Sequence, residues 1–132
     1  MLVNTRIGLS EIHGTGLFAT ESIASGAVVW RFVPGEDGAY TKNEADTFPE
    51  PRRSEILGLY HSYISKQTDR YISCGDDAKY INHSDTPNLG TRFEVGVEED
   101  INFALRDIAE GEELTIDYRT FAADVAEDVH FM

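Results

Sequence analysis

Apolar residues along this chain fall in short runs closed by turn residues. "LVNTRIGL", "GLFAT", "AVVWRFV", "RYISC", "LGTRFEVGV" and "INFALR" are rich in β-branched and aromatic residues and predict short strands. A further strand carries Leu114 and Ile116 and ends at Asp117-Tyr118. "ASGA", "EDGA" and "AEGE" place glycine where turns need it. One segment departs from this rhythm. Thr41 with Glu44 matches a capping box for one helical turn, and Thr47 with Glu50 offers a second. After Pro51, the residues Ile56, Leu59, Tyr60, Tyr63 and Ile64 recur at helical spacing, which predicts one main helix over 51–65. Its aromatic stripe is expected to face the core rather than a cofactor.

The pattern also repeats. "FATESIASGAVV" (Phe18–Val29) and "FALRDIAEGEEL" (Phe103–Leu114) share Phe-Ala, Ile-Ala and Gly in one register. Each reads as strand, turn, strand. Two like units predict a mainly β core with approximate internal symmetry.

With 132 residues, the expectation is a single domain over 1–132. A content of 41% hydrophobic and 11% aromatic residues suffices for one core. No apolar run approaches the roughly 20 residues that span a bilayer. "MLVNTRIGLS" lacks the basic-then-apolar order of a signal peptide, and Cys74 has no second cysteine to pair with. An intracellular protein, cytoplasmic or nuclear and away from membranes, is expected. The 24 acidic against 11 basic residues give a net charge of -13. That balance disfavours direct nucleic-acid binding, which needs clustered Lys and Arg. It serves solubility and suits a basic, Lys-rich partner.

The densest polar stretch is "KYINHSDTPNLG", Lys79–Gly90. Its composition allows a turn, a metal site, a glycan acceptor or part of a pocket. Asn82-His83-Ser84 fits the glycosylation pattern, but without a secretion signal the match reads as accidental. His13, His61, His83, His130 and Cys74 show none of the spacings of structural zinc. No Gly-x-Ser-x-Gly elbow is present, and Cys74 reads as a small buried hydrophobe. In "HGTGLF", Gly14 and Gly16 precede a strand, as in a tight turn or a close approach to a ligand. Tyr118, at a strand end, either packs or aims its hydroxyl into a site.

Taken in order, the Gly-x-Gly-Leu-Phe-Ala stretch, "YINHSDTPN" and "ALRDIAEGEELTIDY" resemble the SET-domain family of protein lysine methyltransferases, over roughly Ile7 to Tyr118. The resemblance implies a β-clip-like fold of short strands in small sheets. In it, the Asn-His-Ser segment and the C-terminal segment cross as a pseudoknot and build the active site. It implies S-adenosylmethionine as cofactor, S-adenosylhomocysteine as its product, and no metal. Gly14, Thr15 and Gly16 would offer backbone groups to the methionine part. Asn82 would bind the amino acid end, His83 would meet the adenine largely through backbone, and Lys79 and Tyr80 would lie alongside. Tyr118 would be the catalytic tyrosine, close to cofactor and target lysine, with Ile116 and Phe121 on the substrate side. The implied activity is in-line methyl transfer to the neutral amine of a lysine in a basic protein.

Two departures qualify the resemblance. Asp85 stands where many relatives carry a zinc-bound cysteine, and no cysteine follows it in this chain. The stretch "RTFAADVAEDVHFM" (119–132) is therefore expected as a short tail without zinc that closes the lysine channel in another way. Ile116 stands where relatives often carry Phe or Tyr, which points to multiple methylation. Two other readings stay open: a degenerate SET domain acting as a non-catalytic acidic module for basic peptides, and a methyl acceptor other than lysine. Self-association as a homodimer is undecided at this level.

Overall fold

In a computed structural model, which describes residues 1–58, 62–66, 68–92 and 99–122, the chain forms three small sheets. In order come β1 (Thr5–Leu9), β2 (Thr15–Ala19), β3 (Val28–Arg31), β4 (Gly38–Tyr40), α1 (Lys42–Asp46) and α2 (Arg52–Leu57). There follow β5 (Ser62–Ile64), β6 (Tyr71–Ser73), β7 (Asn82–His83), β8 (Leu89–Arg92), β9 (Ile101–Ala104) and β10 (Thr115–Ile116). The sheets are β1-β2, β4-β6-β5 and a five-stranded one of order β3-β9-β8-β10-β7. The expected mainly β architecture is present.

The two sequence repeats pair with each other about an approximate twofold axis. Ile23 and Ile108, equivalent positions of the repeats, exchange both backbone hydrogen bonds at 2.9 and 2.8 Å. Around them the bonds come in symmetric pairs. Ala19 N–H to Glu112 O is matched by Ala104 N–H to Ala27 O, both 2.9 Å. Gly26 N–H to Ala104 O (2.7 Å) is matched by Gly111 N–H to Ala19 O (2.8 Å). Gly26 and Gly111 sit at φ 86° and 90°, a region a side chain would resist. Ile23 and Ile108 are buried in the main core with Leu17, Val29, Leu89 and Leu114.

Helical content differs from the expectation. The Thr41–Glu44 capping box is formed, and it opens α1. Thr47 and Glu50 make no second box. Thr47 instead closes α1, donating its hydroxyl to Glu44 O at 2.6 Å, while Glu50 accepts from Arg53 and Ser54. The helix expected over 51–65 covers only Arg52–Leu57. Gly58 ends it, and a Cβ there would stand 2.6 Å from Ser54 O. Ser62–Ile64 is a strand, with Tyr63 opposite Ile72 of β6. Leu59 and Tyr60 lie outside the described residues.

β10 has the most consequential placement. It pairs in parallel with β7 on one side and β8 on the other: Thr115 lies opposite Asn82, and Ile116 opposite both His83 and Leu89. Parallel neighbours ordinarily need a connection of a dozen or more residues. Here 84–88 alone join β7 to β8, so this link crosses β10. Asn88, 2% exposed, fastens the crossing. Its amide donates to Glu113 O at 2.8 Å and accepts from Thr115 N–H at 2.8 Å, and its own N–H donates to the Thr115 hydroxyl at 3.2 Å. Asn88→Ala would strand a buried N–H and a carbonyl. The expected loss is about 2–6 kcal/mol, from roughly 1–3 for each of the two unpaired groups. A lower denaturation midpoint at unchanged m-value is the expected reading, and an unchanged midpoint would show that the stitch carries no load.

Candidate active site

β10 and the turn after it border a cavity of about 600 Å³, within the usual range for small-molecule sites. One wall is the loop between β1 and β2. Gly14, at φ +45°, turns this loop. Three carbonyls along it are committed: Gly14 O accepts from Ser10 N–H at 2.8 Å, while His13 O and Thr15 O both accept from the Asn82 amide at 3.1 Å. The same amide donates to Glu113 Oε2 at 2.9 Å. Asn82 is 8% exposed, so its side chain is built into the fold.

A 3-10 turn, Asp77–Tyr80, brings Lys79 and Tyr80 to the cavity, with Asp76 capping it through Ala78 N–H at 2.9 Å. His83 Nδ1 accepts the backbone N–H of Tyr118 at 3.0 Å. The imidazole proton therefore sits on Nε2, which faces Asp85 Oδ1 at 3.2 Å. With the ring spent this way, and edge-on to Tyr118 at 5.3 Å, His83 helps fix the tyrosine.

The Tyr118 hydroxyl donates to Ile81 O. Burial, followed by the nearby Cys74 and Glu113, raises its pKa to about 12. At neutral pH the phenol stays protonated. Phe121 stands edge-on to Tyr118 at 5.7 Å and to Tyr63 at 4.7 Å, so three aromatic rings form one side of the cavity. The segment 119–122 is held in place by the two residues that follow β5: Lys66 N–H donates to Phe121 O at 2.9 Å, and Ser65 bridges Ala122. Arg119 ties it from the other side, to Asp85 at 2.9 Å and Asp117 at 2.8 Å. The Arg119 hydrogen bonds hold the Asp117 carboxyl below its ordinary range. Asp85, 75% exposed, adds little energy as a surface ion pair, so the backbone bonds to Ser65 and Lys66 do most of the holding.

Gly14, Thr15, Lys79, Tyr80, Asn82, His83, Ile116, Tyr118 and Phe121 all line this one cavity, but Gly16 does not. Gly16 lies in β2, and a Cβ on it would come 2.5 Å from Glu113 Oε2. Residues 123–132 of the expected tail lie outside the described residues. Sequence reasoning missed Tyr63, Trp30, Asn102 and Cys74, which also line the cavity. Tyr63 had been assigned to a helix stripe. Trp30, the one tryptophan of the chain, is 2% exposed, and its indole N–H has no hydrogen-bond partner among the described residues. Burial, then Asp37 and Asp76, pushes the Cys74 thiol far above its ordinary range, which makes it a poor nucleophile. Among the described residues no three His, Cys, Asp or Glu side chains cluster as a metal site, and no helix is long and apolar enough to cross a membrane.

These features have counterparts. The family description "SET domain" matches residues 14–119, and the chain belongs to the SET-domain family. It is 31% identical over 134 residues to the histone-lysine N-methyltransferase trr of Drosophila melanogaster, covering 96% of this chain and 5% of that protein. It is 33% identical over 118 residues to an H3 lysine-4 specific histone-lysine N-methyltransferase of Chaetomium globosum, covering 83% of this chain and 10% of that one. It thus spans a small part of these relatives' length. Among solved structures, a humanized mutant of the Chaetomium thermophilum Polycomb Repressive Complex 2 bound to the inhibitor GSK126 matches with a TM-score of 0.67 at 25% identity, over 92% of this chain and 16% of that chain. A structure described as ctPRC2 in an autoinhibited conformation bound to S-adenosylmethionine matches with a TM-score of 0.67 at 22% identity, over the same shares.

Behind Tyr63 lies a buried acidic pair. Glu99 is fully buried and accepts from Arg70 Nε at 3.2 Å and the Thr68 hydroxyl at 3.1 Å. Asp100 is 1% exposed, and neither of its oxygens makes a well-formed hydrogen bond among the described residues. Burial, then the Glu99 charge, raises its pKa to about 6, only partly offset by the Tyr63 hydroxyl. A raised carboxyl pKa means that folding favours the protonated form. The stability Asp100 contributes is full below about pH 4 and is lost as pH rises through about 6. Asp100→Asn should therefore leave the melting temperature little changed at pH 4 and raise it relative to wild type at pH 7.5. An equal difference at both pH values would remove Asp100 as the titrating group.

Proposed function

We propose that this chain transfers methyl groups from S-adenosylmethionine to the side-chain amine of a lysine in a basic protein. The observation that carries the reading is Tyr118: a protonated phenol held by Ile81 O and His83, beside Phe121 and Tyr63, on the wall of a cavity of about 600 Å³. Family membership and relatives named as histone-lysine N-methyltransferases support it.

The residues present fit the cofactor. The cavity is large enough, and the unpaired Trp30 N–H is a buried donor on its wall that a polar occupant or its water would satisfy. Gly14, Thr15, Lys79, Tyr80, Asn82 and His83 would hold S-adenosylmethionine, with Gly14, Thr15 and His83 acting through backbone. When bound, S-adenosylmethionine supplies an electrophilic methyl group. Gly16 supports the site from behind the wall. No metal enters this reading.

The chain's own residues have three tasks. First, the amine must be neutral, although a free lysine titrates near 10.4. Ile116, 2% exposed, and the rings of Phe121 and Tyr63 give a wall that disfavours the ammonium form. Second, the amine must be aimed. With its proton committed to Ile81 O, the phenolic oxygen of Tyr118 acts toward a substrate as an acceptor for N–H, which orients the nitrogen lone pair. A phenol titrating near 12 does not serve as a base at neutral pH. Third, water must be kept out, and the strap 119–122 with Phe121 covers the aromatic side. The net charge of -13 would draw in a Lys-rich segment. Direct nucleic-acid binding is not part of the reading, and an intracellular site of action goes with it.

Ile116 offers no hydroxyl to restrain a methylated amine, so we assign multiple methylation. Three outcomes are expected. S-adenosylhomocysteine raises the melting temperature, by about 2.7 kcal/mol of stabilisation at a hundredfold excess over Kd. Tyr118→Phe keeps the fold and S-adenosylhomocysteine affinity but loses about 100-fold in turnover of a Lys-rich peptide. Ile116→Tyr shifts the products toward monomethyl-lysine, read by mass spectrometry at long times. Cofactor binding without transfer to any basic protein would favour the non-catalytic module. Exclusive monomethylation by the wild type would refute the role given to Ile116.

A further inference from the structure

We infer that Glu113 is a positioning residue for cofactor binding, acting as a clamp that shapes the β1-β2 loop from behind; this deepens the methyl-transfer reading and rests on it. Glu113 lies outside the cavity lining, two residues before β10. The Ser10 hydroxyl approaches both of its carboxylate oxygens, at 2.7 and 2.8 Å, and Oε2 also accepts from the Asn82 amide at 2.9 Å. Ser10 Oγ in turn accepts the backbone N–H groups of Ile12 (2.9 Å) and His13 (3.3 Å). Asn82 reaches round the other side to His13 O and Thr15 O. One carboxylate thus joins the side chain that gathers the loop's entry to the one that gathers its exit. Between them lie the loop residues Ile12, His13, Gly14 and Thr15, all on the cavity wall.

Gly16 fits this arrangement. A methyl group on it would fall 2.5 Å from Glu113 Oε2 and 3.0 Å from Ser10 Cβ, so the carboxylate occupies the space a side chain would need. The backbone cannot retreat, because Glu113 bridges Phe18 and Leu114 N–H donates to Leu17 O at 2.8 Å. A side chain at the second glycine of "HGTG" would therefore push the Glu113 carboxylate away from Ser10 and Asn82. Hydrogen bonds to a carboxylate are stronger than neutral ones. A loop held in its binding shape spares a ligand the cost of ordering it.

The test is calorimetric titration of S-adenosylhomocysteine into the wild-type protein, Glu113→Gln, Ser10→Ala and the double variant, paired with steady-state kinetics. Each single variant should weaken Kd about tenfold. The double variant should be little worse than the weaker single one, since both cut the same clamp. KM for S-adenosylmethionine should rise by the same factor, with KM for the peptide unchanged and kcat at saturating cofactor retained, a split that general destabilisation would not produce. If Glu113→Gln fails to fold, Ser10→Ala, a half-buried surface change, carries the test alone. Unchanged Kd in Ser10→Ala and Glu113→Gln, or a loss confined to kcat, overturns the clamp while leaving methyl transfer standing. No binding of S-adenosylhomocysteine by the wild type overturns the methyl-transfer reading and the clamp together.

Discussion

A strand of two residues, hydrogen-bonded on both edges, is the constraint on which this structure depends. Thr115 and Ile116 fit between β7 and β8 only because the 84–88 link passes across them. Two-residue strands have almost no ladder of their own, so side chains complete the pairing. Asn88 does so from the link, and His83 does so by accepting Tyr118 N–H. Function follows from the same arrangement. The strand delivers Ile116 to the cavity, and the turn after it delivers Tyr118. The parallel strand beside it, β7, contributes Asn82 and His83. A substitution that loosens the crossing should disturb stability and site together.

The internal pairing of the repeats gives this crossing a base. The symmetric bonds around Ile23 and Ile108 fix the second repeat, which ends at Glu113 and Leu114 and runs directly into β10. Polar groups then hold the loops where apolar packing cannot. Glu113 gathers the β1-β2 loop, and the backbone of Lys66 holds Phe121. Asp85 stands where the resemblance places a zinc-bound cysteine in many relatives. Here it meets Arg119 and His83. The strap that carries Phe121 is thus secured among the described residues by hydrogen bonds and ion pairs.

Much of this was legible in the sequence because it rests on local chemistry. The short apolar runs predicted β1, β2, β3, β6, β8 and β9, the Thr41–Glu44 box predicted α1, and the repeat predicted approximate internal symmetry without showing that its two copies pair with each other. The ten site residues came instead from the resemblance to the SET-domain family, and nine of them line one cavity. What was not legible depends on distant partners. Tyr63 sits at helical spacing from Ile56, but Gly58 stops the helix, and Ile72 in β6 offers Tyr63 a cross-strand neighbour. Gly16 carries the same glycine signal whether the close approach comes from a ligand or from Glu113. The carboxylate that requires it lies 97 positions away. Trp30 and Asp100 became notable only once their burial was known, with the indole N–H of Trp30 lacking a partner, and the Asp100 oxygens a well-formed hydrogen bond, among the described residues.

The inserted strand should open only when the whole domain does. Native-state hydrogen exchange of the Ser84, Thr115 and Tyr118 amides reads this directly, because each donates across the crossing or into it. All three should exchange with one free energy, equal to that of global unfolding measured by denaturant. Exchange of Thr115 and Tyr118 through a local opening several kcal/mol below the global value would contradict it.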